Sequence, residues 1–337
     1  MIHNGKTLLL ALAASLSATA SLALDEVKFG TNWLAQGGHG GFYQALADGT
    51  YEKYGLAVEI VPGGPQVNNR PMLSAGRLDF LQAGNLLLSF DNVRNGIPTT
   101  VVAAFYQKDP QAIMAHKGVY ASFDEMAQAP SVLLAKDGQF SYWKWMVDAH
   151  GFRDEQVRPY NYNLAQFLQD KTLVQQSYAT AEPLYAQAEG APVDVFLLAD
   201  QGWSTYASTI ETRQQLIDED PELVQRFVDA SIEGWYNFLY GDRTKAYEAI
   251  MAANPEMTRQ KLDAEVGQLL DLGIIDSGDA LEKGIGAMTP ERLASFRDIA
   301  VAAGLIEKDA VDLAKVADLR FVNQGKGMEI RDQLPQN

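Results

Sequence analysis

The stretch TNWLAQGGHGGFY, residues 31–43, decides how the rest of this chain is interpreted. It follows a short apolar run, Val27–Phe29, which predicts a first β-strand. Apolar residues at roughly helical spacing continue from Phe42 to Tyr54. The stretch therefore joins a strand to a helix, and ligands bind at such junctions in open α/β sheets. We interpret it as a ligand-binding loop.

The side chains of this loop suit that role. Trp33 offers a flat apolar face, Asn32 an amide and His39 an imidazole. Four glycines let the backbone approach a ligand closely, and the start of the next helix offers unpaired N–H groups. A second interpretation is equally open at this point: Trp33 fills the core, and the glycines only serve a bend.

Composition limits what the protein does. Its 337 residues suffice for two compact cores, and the net charge of −16 disfavours nucleic acid and anionic membranes as partners. The chain has no cysteine, which excludes thiol catalysis, disulfides and cysteine-ligated metals. The motifs of metalloproteases, serine hydrolases and nucleotide-binding enzymes are missing. We therefore expect a protein that is not an enzyme and has no catalytic residues, cofactor or metal.

The N-terminus predicts export. A basic residue, Lys6, precedes a small and apolar run that ends in Ser21-Leu22-Ala23, with small residues at the −3 and −1 positions. We interpret residues 1–23 as a cleavable secretory signal peptide, with a mature chain that starts near Leu24. A membrane anchor is the alternative, but the run is short for a span. Without a cysteine to carry lipid, we expect a periplasmic protein that is not a lipoprotein and has no direct membrane anchor.

Two α/β units follow along the chain. The first has a βαβαβαβ pattern up to Phe105, which is typical of a parallel sheet covered by helices on both faces. After the second comes one more strand, Tyr206–Arg213, and then mostly helix to about Leu319. The strands predicted in the two units are Val27–Phe29, Gly55–Val61, Leu78–Leu81, Thr99–Phe105, Gln111–His116, Ser131–Ala135, Val157–Tyr162, Val174–Tyr178 and Val193–Leu198.

The chain crosses between the units near Gln107–Asp109 and returns near Asp200–Ser204, which leaves a cleft between them. This architecture resembles the type II periplasmic-binding-protein fold, in which two α/β lobes close over a small molecule about two hinge crossovers. The polar C-terminal tail is expected to fray. The expected divisions are a signal peptide at 1–23, lobe 1 at 24–108 plus 205–325, lobe 2 at 109–204 and the tail at 326–337.

Several short motifs occur together in this chain. They are Asn32-Trp33 with His39-Gly40-Gly41-Phe42-Tyr43, Tyr54-Gly55-Leu56-x-Val58, Leu73-x-x-Gly76-x-x-Asp79, Gly138-Gln139-Phe140-Ser141, Tyr178-x-x-x-Glu182-Pro183 and the run Asp220–Phe227. As a set, over about residues 27–240, they resemble the solute-binding proteins of ABC importers, in the group that binds pyrimidine precursors of thiamine, riboflavin, nitrate, taurine or alkanesulfonates. The resemblance implies a monomer with a small-molecule ligand, and a permease with its ATPase as partner.

Within that group the chain is most similar to the pyrimidine-precursor branch. In that branch a Trp or Tyr stacks on the ring, and a Tyr and a Glu one helical turn apart bind the heterocycle. Tyr178 and Glu182 have that spacing here. The resemblance therefore implies that the ligand is an aminopyrimidine precursor of thiamine, held by Trp33, Tyr178 and Glu182.

The residue types at the expected cleft give a separate indication. The four loops 32–42, 82–86, 138–142 and 178–182 contain neither arginine nor lysine. A sulfonate or nitrate needs such donors or clustered backbone N–H groups, whereas aromatic rings, amides and a carboxylate suit an amine-bearing aromatic heterocycle. The residues predicted to bind it are Asn32, Trp33, His39, Asn85, Gln139, Phe140, Ser141, Tyr178 and Glu182.

Other interpretations stay open. An arginine from elsewhere, such as Arg70, would favour taurine, an alkanesulfonate or nitrate if it reached the cleft, and riboflavin binders share the scaffold. His39 also fits a buried structural group, and Glu182 a favourable acidic residue at a helix start. A sensor lobe or a scavenging protein without a transporter fits the same sequence. A fungal pyrimidine-synthesising enzyme has this fold too, but its cysteine-rich motif is missing here.

Overall fold

The computed structural model describes residues 23–333, which form two five-stranded sheets with helices packed around them. The signal peptide predicted at 1–23 lies outside this range except for Ala23. No helix between residues 23 and 333 has the length and apolarity needed to cross a bilayer.

The strands are β1 Asp25–Gly30, β2 Leu56–Val61, β3 Phe80–Gln82, β4 Thr99–Tyr106, β5 Gln111–His116, β6 Val132–Leu134, β7 Val157–Pro159, β8 Val174–Tyr178, β9 Val193–Leu197 and β10 Ala207–Arg213. The α-helices are α1 Gly40–Ala47, α2 Thr50–Lys53, α3 Arg70–Ser74, α4 Leu86–Arg94, α5 Phe123–Met126, α6 Lys136–Phe140, α7 Trp143–His150, α8 Ala165–Gln169, α9 Glu182–Ala188, α10 Gln214–Glu219, α11 Pro221–Tyr240, α12 Thr244–Ala253, α13 Arg259–Asp271, α14 Ala280–Lys283, α15 Pro290–Ala302, α16 Leu313–Val316 and α17 Met328–Asp332.

The two sheets share one topology, and the expected pair of α/β lobes joined by two crossovers is confirmed. Strand order is β2-β1-β3-β10-β4 in lobe 1 and β7-β6-β8-β5-β9 in lobe 2. In each sheet the first three strands run parallel, and the fourth is antiparallel to both of its neighbours. The expectation of purely parallel sheets is therefore wrong for β10 and β5. Both strands arrive from the other lobe and enter the sheet at its cleft end, so they run opposite to their neighbours.

Local structure differs from expectation at three other places. The helix expected over Phe42–Tyr54 breaks into α1 and α2, because Gly49 takes a left-handed conformation with φ of 82°. The segment 136–141, expected as a loop, consists mostly of helix α6. The tail expected to fray contains helix α17, whose apolar side chains pack against the core.

The two crossovers are tied together side by side. A salt bridge of 3.3 Å joins Lys108 Nζ, between β4 and β5, to Asp200 Oδ1, between β9 and β10. Arg292 of α15 donates hydrogen bonds to the backbone carbonyls of Gln107 and Thr205, one on each crossover. These contacts hold the two crossovers together as one short connection between the lobes, which is the place of the hinge in this fold.

Helix α1 packs directly on helix α11 because glycine occupies the points of contact. A Cβ atom at Gly41 would lie 2.2 Å from the Trp235 ring. A Cβ atom at Gly40 would lie 2.0 Å from the Phe238 ring. On the other helix, a Cβ atom at Gly234 would lie 2.4 Å from the Gly41 carbonyl oxygen. The last two glycines of the 31–43 stretch thus serve helix packing, which fixes the position of the loop before them.

Replacing Gly41 with alanine tests this contact. We expect Gly41→Ala to lower the free energy of unfolding by about 3 kcal/mol, because the added methyl group overlaps the Trp235 ring. Urea denaturation of the mature chain measures the change. Gly267→Ala in α13 is the control: its added Cβ meets nothing within 4 Å, so it should raise stability by about 0.5–1 kcal/mol. Two variants of equal stability would contradict the packing described.

Candidate functional site

A cleft of about 1010 Å³ lies between the lobes. It is placed at the carboxyl ends of the parallel strands of both sheets, where α/β proteins bind ligands. Eight of the nine predicted site residues line it, and Gln139 does not. The eight are Asn32, Trp33, His39, Asn85, Phe140, Ser141, Tyr178 and Glu182.

Trp33 forms part of the lobe 1 wall of the cleft. Its carbonyl accepts hydrogen bonds from Thr31 Oγ1 at 2.8 Å and from Gly63 N at 3.2 Å, which fix the loop after β1. Its side chain is half-buried, and its ring centroid lies 5.1 Å from that of Tyr162 in lobe 2, at an interplanar angle of 49°. Trp33 therefore faces the cleft and is not part of the buried core.

His39 is buried behind this wall, and its Nε2 lies 3.2 Å from Asn32 Oδ1. Burial lowers the pKa of His39 to about 4, so the ring is neutral near pH 7. A neutral ring with its proton on Nε2 donates to Asn32 Oδ1. His39 thus orients the Asn32 amide and brings no positive charge to the cleft.

The floor of the cleft holds a buried carboxylate, Asp109, which is not among the nine predicted site residues. Asn85 begins helix α4, where its Oδ1 accepts from Leu87 N at 3.1 Å, and its Nδ2 lies 3.4 Å from Asp109 Oδ2. The other oxygen of Asp109 accepts from Gln111 N at 3.1 Å. Asp109 is only 2% exposed, and burial raises its pKa to about 6. The two hydrogen bonds compensate this burial only in part.

Helix α6 explains why Gln139 is not at the cleft. Asp137 and Phe140 are three residues apart and share the helix face that lines the cleft. Gln139 lies on another face, and its amide donates to the Leu134 carbonyl at 3.2 Å. Phe140 is 80% exposed at the mouth of the cleft, in a position to cover a ligand. Ser141 Oγ is buried and has no hydrogen-bond partner within residues 23–333.

Glu182 is the first residue of α9, on the lobe 2 wall. Its Oε2 accepts the Tyr178 backbone N–H at 2.8 Å, and its Oε1 accepts the Tyr160 hydroxyl at 3.0 Å. Burial raises the pKa of Glu182, and these hydrogen bonds oppose the rise. Each carboxylate oxygen can accept a second hydrogen bond. Glu182 therefore stabilises the helix start and still has the capacity to bind a donor on a ligand.

Tyr162 stands opposite Trp33 on a strained backbone. Its φ of 56° is costly for a residue with a Cβ atom, and such strain is concentrated at functional sites. Its hydroxyl donates to Asp137 Oδ1 at 2.9 Å, and its ring lies 5.3 Å from that of Tyr160. The strained residue thus completes a group of three aromatic rings that spans the cleft.

The arginine and lysine side chains that line the cleft already contact protein acceptors. Arg70, which was open as an anion ligand, donates to the Leu88 carbonyl at 3.0 Å and to Asn92 Oδ1 at 2.6 Å. Arg94 pairs with an aspartate one turn away at 3.7 Å, and Lys261 donates to a backbone carbonyl at 2.9 Å. None of these contacts is made to Asp109 or Glu182, the carboxylates described above.

The sequence indicated some of the additional cleft residues and gave no signal for others. Asp109 stands at the predicted crossover, and Tyr160 and Tyr162 stand at a predicted strand end, so the strand-end rule could have found them. Tyr106 is the last residue of β4, so the same rule could have found it too. Tyr185 comes from inside helix α9, where aromatic residues normally belong to the core. The lining residues absent from the prediction include Tyr106, Asp109, Asp137, Tyr142, Tyr160, Tyr162 and Tyr185.

The arrangement is suited to binding a planar molecule with hydrogen-bond donors. Aromatic faces can stack on a ring, and the carboxylates can accept from amino groups. In the described part of the chain, no three His, Asp or Glu side chains are grouped closely enough to hold a metal ion.

Comparison with known proteins defines the class to which this chain belongs. Its fold is that of the periplasmic binding proteins. The profile of the family described as NMT1/THI5 like matches residues 36–241, which is more than half of the chain. The chain therefore belongs to the NMT1/THI5-like family.

Three individual proteins show the range of its relatives. The riboflavin-binding protein RibY of Chloroflexus aurantiacus is 29% identical over 147 residues, which make up 42% of this chain and only 41% of RibY. The periplasmic aliphatic sulphonate binding protein SsuA from Escherichia coli has a TM-score of 0.63 at 14% identity, over 87% of this chain and 92% of SsuA. The desulfurization enzyme DSZB has a TM-score of 0.54 at 15% identity, over 91% of this chain and 99% of DSZB. One fold thus serves binding proteins and an enzyme, so it does not by itself define the ligand.

The cleft position of Trp33 predicts a small effect on stability. We expect Trp33→Ala to change the free energy of unfolding by about 1 kcal/mol or less, because its side chain is only half-buried. Trp235→Ala is the control, since its fully buried side chain should cost about 3–5 kcal/mol. Thermal denaturation without ligand compares the two. Comparable losses of unfolding free energy in the two variants would show that Trp33 is part of the core.

Proposed function

We propose that this protein is the solute-binding component of an ABC importer and captures an amine-bearing aromatic heterocycle in the periplasm. The leading candidate is an aminopyrimidine precursor of thiamine. The observation that supports this most directly is the convergence of aromatic rings and carboxylates in a cleft between two hinged lobes. Membership of the NMT1/THI5-like family and the predicted signal peptide are consistent with a role in uptake.

The aromatic rings favour a planar ligand. The rings of Trp33 in lobe 1 and Tyr162 in lobe 2 meet across the cleft with their centroids 5.1 Å apart, so a planar ligand beside this pair can contact both lobes. Stacking on one such ring contributes about 0.5–1.5 kcal/mol beyond the burial of its surface. A flexible aliphatic ligand such as taurine would not gain this contribution.

The carboxylates favour a ligand with amino groups or a protonated ring. Asp109 and Glu182 line the cleft and can accept hydrogen bonds from such donors. An anion in the same place would lose its hydration beside two buried carboxylates. The neutral His39 and the engaged Arg70 do not offset that cost. The cleft therefore favours the binding of an amine over that of a sulfonate or nitrate.

Riboflavin is the second candidate. The cleft volume of about 1010 Å³ is at the upper end of the range for small-molecule sites and exceeds the need of a single pyrimidine ring. RibY, a relative over part of the chain, is a riboflavin-binding protein. A flavin ring system could also stack on Trp33, as a pyrimidine ring could.

In this proposal the protein captures its ligand by closing the two lobes about the hinge. The open state admits the ligand, and contacts from both lobes then stabilise the closed state. In this proposal Trp33 and Asn85 contribute from lobe 1, and Phe140, Tyr178 and Glu182 from lobe 2. A micromolar dissociation constant corresponds to about −8 kcal/mol, which a stacked ring and a few hydrogen bonds to charged groups can supply. The closed protein would then pass its ligand to the permease.

A thermal-shift screen tests the proposal. The purified mature protein is heated with an aminopyrimidine, thiamine, riboflavin, taurine, an alkanesulfonate or nitrate, and a ligand that binds only the folded state raises the melting temperature. We expect the aminopyrimidine to raise it. A shift with riboflavin alone would select the second candidate. A shift with a sulfonate or nitrate alone would contradict the chemistry assigned to the cleft.

Glu182→Gln tests the role of that carboxylate. We expect affinity for an amine-bearing ligand to fall tenfold or more in titration calorimetry, because a charged acceptor becomes neutral. Glu211→Gln is the control: this glutamate is also a carboxylate acceptor, but it is buried and accepts from Ser89 and Asn92, away from the cleft. An unchanged affinity in Glu182→Gln would leave Glu182 only its role at the start of α9.

The raised pKa of Asp109 predicts a pH dependence. The free protein carries this negative charge above about pH 7 and loses it as the pH falls through about 6. For a ligand with a fixed positive charge, we expect constant affinity above about pH 7 and a loss of about tenfold between about pH 7 and pH 5. Asp109→Asn should bind weakly throughout, with a flatter profile. A flat profile in the natural protein would show that Asp109 does not meet the ligand's charge.

A further inference from the structure

Glu265 of helix α13 is a buried carboxylate that bridges the two lobes. Its Oε2 accepts the Gly37 backbone N–H in lobe 1 at 2.6 Å. Its Oε1 accepts the hydroxyl of Tyr185 on α9 in lobe 2 at 2.7 Å. The side chain is 1% exposed. Because its two donors belong to different lobes, both hydrogen bonds can form only while the lobes are close together.

The lobe 1 side of this bridge belongs to the ligand loop. Gly37 begins the short 3-10 helix Gly37–His39, a few residues after Trp33. A Cβ atom at Gly37 would lie 2.8 Å from Glu265 Oε2, so the short hydrogen bond requires glycine at this position. Any movement of Glu265 is therefore transmitted to the backbone of the loop.

The lobe 2 side is a discrete contact. Lys261, one helical turn before Glu265, places its Nζ 5.3 Å from the centroid of the Tyr185 ring. Beyond this point a groove of about 240 Å³ separates α9 from α13, with Leu184 on one side and Leu272 on the other. Near this groove Leu272, which follows α13, packs against Ala179 and Leu197 of lobe 2. The hydrogen bond from Tyr185 to Glu265 is thus a direct polar link between α9 and α13 beside an apolar contact.

We propose that Tyr185 and Glu265 form a latch that stabilises the closed arrangement of the lobes and links it to the ligand loop through Gly37. Glu265 is a positioning residue in this mechanism, since it acts on the loop and on the opposite lobe rather than on the ligand. The latch concerns the equilibrium between open and closed protein and does not depend on which ligand the cleft takes.

The latch can be tested without ligand, so its failure is distinct from failure of the proposed function. The chain has no natural cysteine, so spin labels can be attached at Gln66→Cys in lobe 1 and Lys136→Cys in lobe 2, two exposed positions beside the cleft. Electron–electron double resonance then gives the distance across the cleft. We expect Tyr185→Phe, which keeps the ring but removes the hydroxyl, to reduce the ratio of short to long distances about tenfold.

Two further variants separate a latch from a general loss of structure. Tyr247→Phe is the matched control, because its hydroxyl donates to Asp263 of the same helix α13 at 2.9 Å, with both partners in lobe 1. It should leave the distances unchanged. Glu265→Gln should favour the long distance and also speed hydrogen exchange at the Gly37 amide. The proposal is overturned if Tyr185→Phe and the natural protein give the same distances, or if the natural protein shows only the long one.

Discussion

The close packing of α1 on α11 is the constraint on which the rest of the binding apparatus depends. Glycine at residues 40, 41 and 234 brings the two helices to backbone contact against Trp235 and Phe238. Helix α1 follows the ligand loop directly, whereas α11 is formed after the chain has returned from lobe 2. The contact therefore fixes an N-terminal loop to a C-terminal framework. Trp33, His39 and Gly37 all take their positions from it.

The site and the hinge meet at one residue. Asp109 lies on the first crossover and contacts Asn85 of lobe 1 as well as the first amide of β5 in lobe 2. A positive group that neutralises this carboxylate acts at the pivot of the motion rather than at a distance from it. In the proposed function, recognition of charge and closure of the lobes would be coupled by this proximity, and no long pathway through the protein would be needed.

Local patterns predicted the lobes, the crossovers and eight residues that line the cleft, because short stretches of sequence are enough to indicate strand ends and glycine-rich turns. They failed where the outcome depends on distant parts of the chain. The direction of β10 follows from its origin in the other lobe. The exclusion of Gln139 from the cleft follows from a helix that the loop-like sequence 136–141 concealed. Tyr185 and Glu265 meet across 80 residues of sequence, and no local signal marks either one.

The inserted antiparallel strand also constrains the order in which the chain folds. All five strands of lobe 2 lie between residues 111 and 197, so its sheet can be completed from one continuous segment. In lobe 1, β4 is fully buried, yet its neighbour in the sheet is β10, which begins at Ala207. This strongly apolar strand lacks its partner until the second lobe has been traversed. The topology thus predicts a partly folded state in which the apolar strand β4 is exposed. Protection by a chaperone, or rapid pairing of β10 with β4, would matter most at that stage.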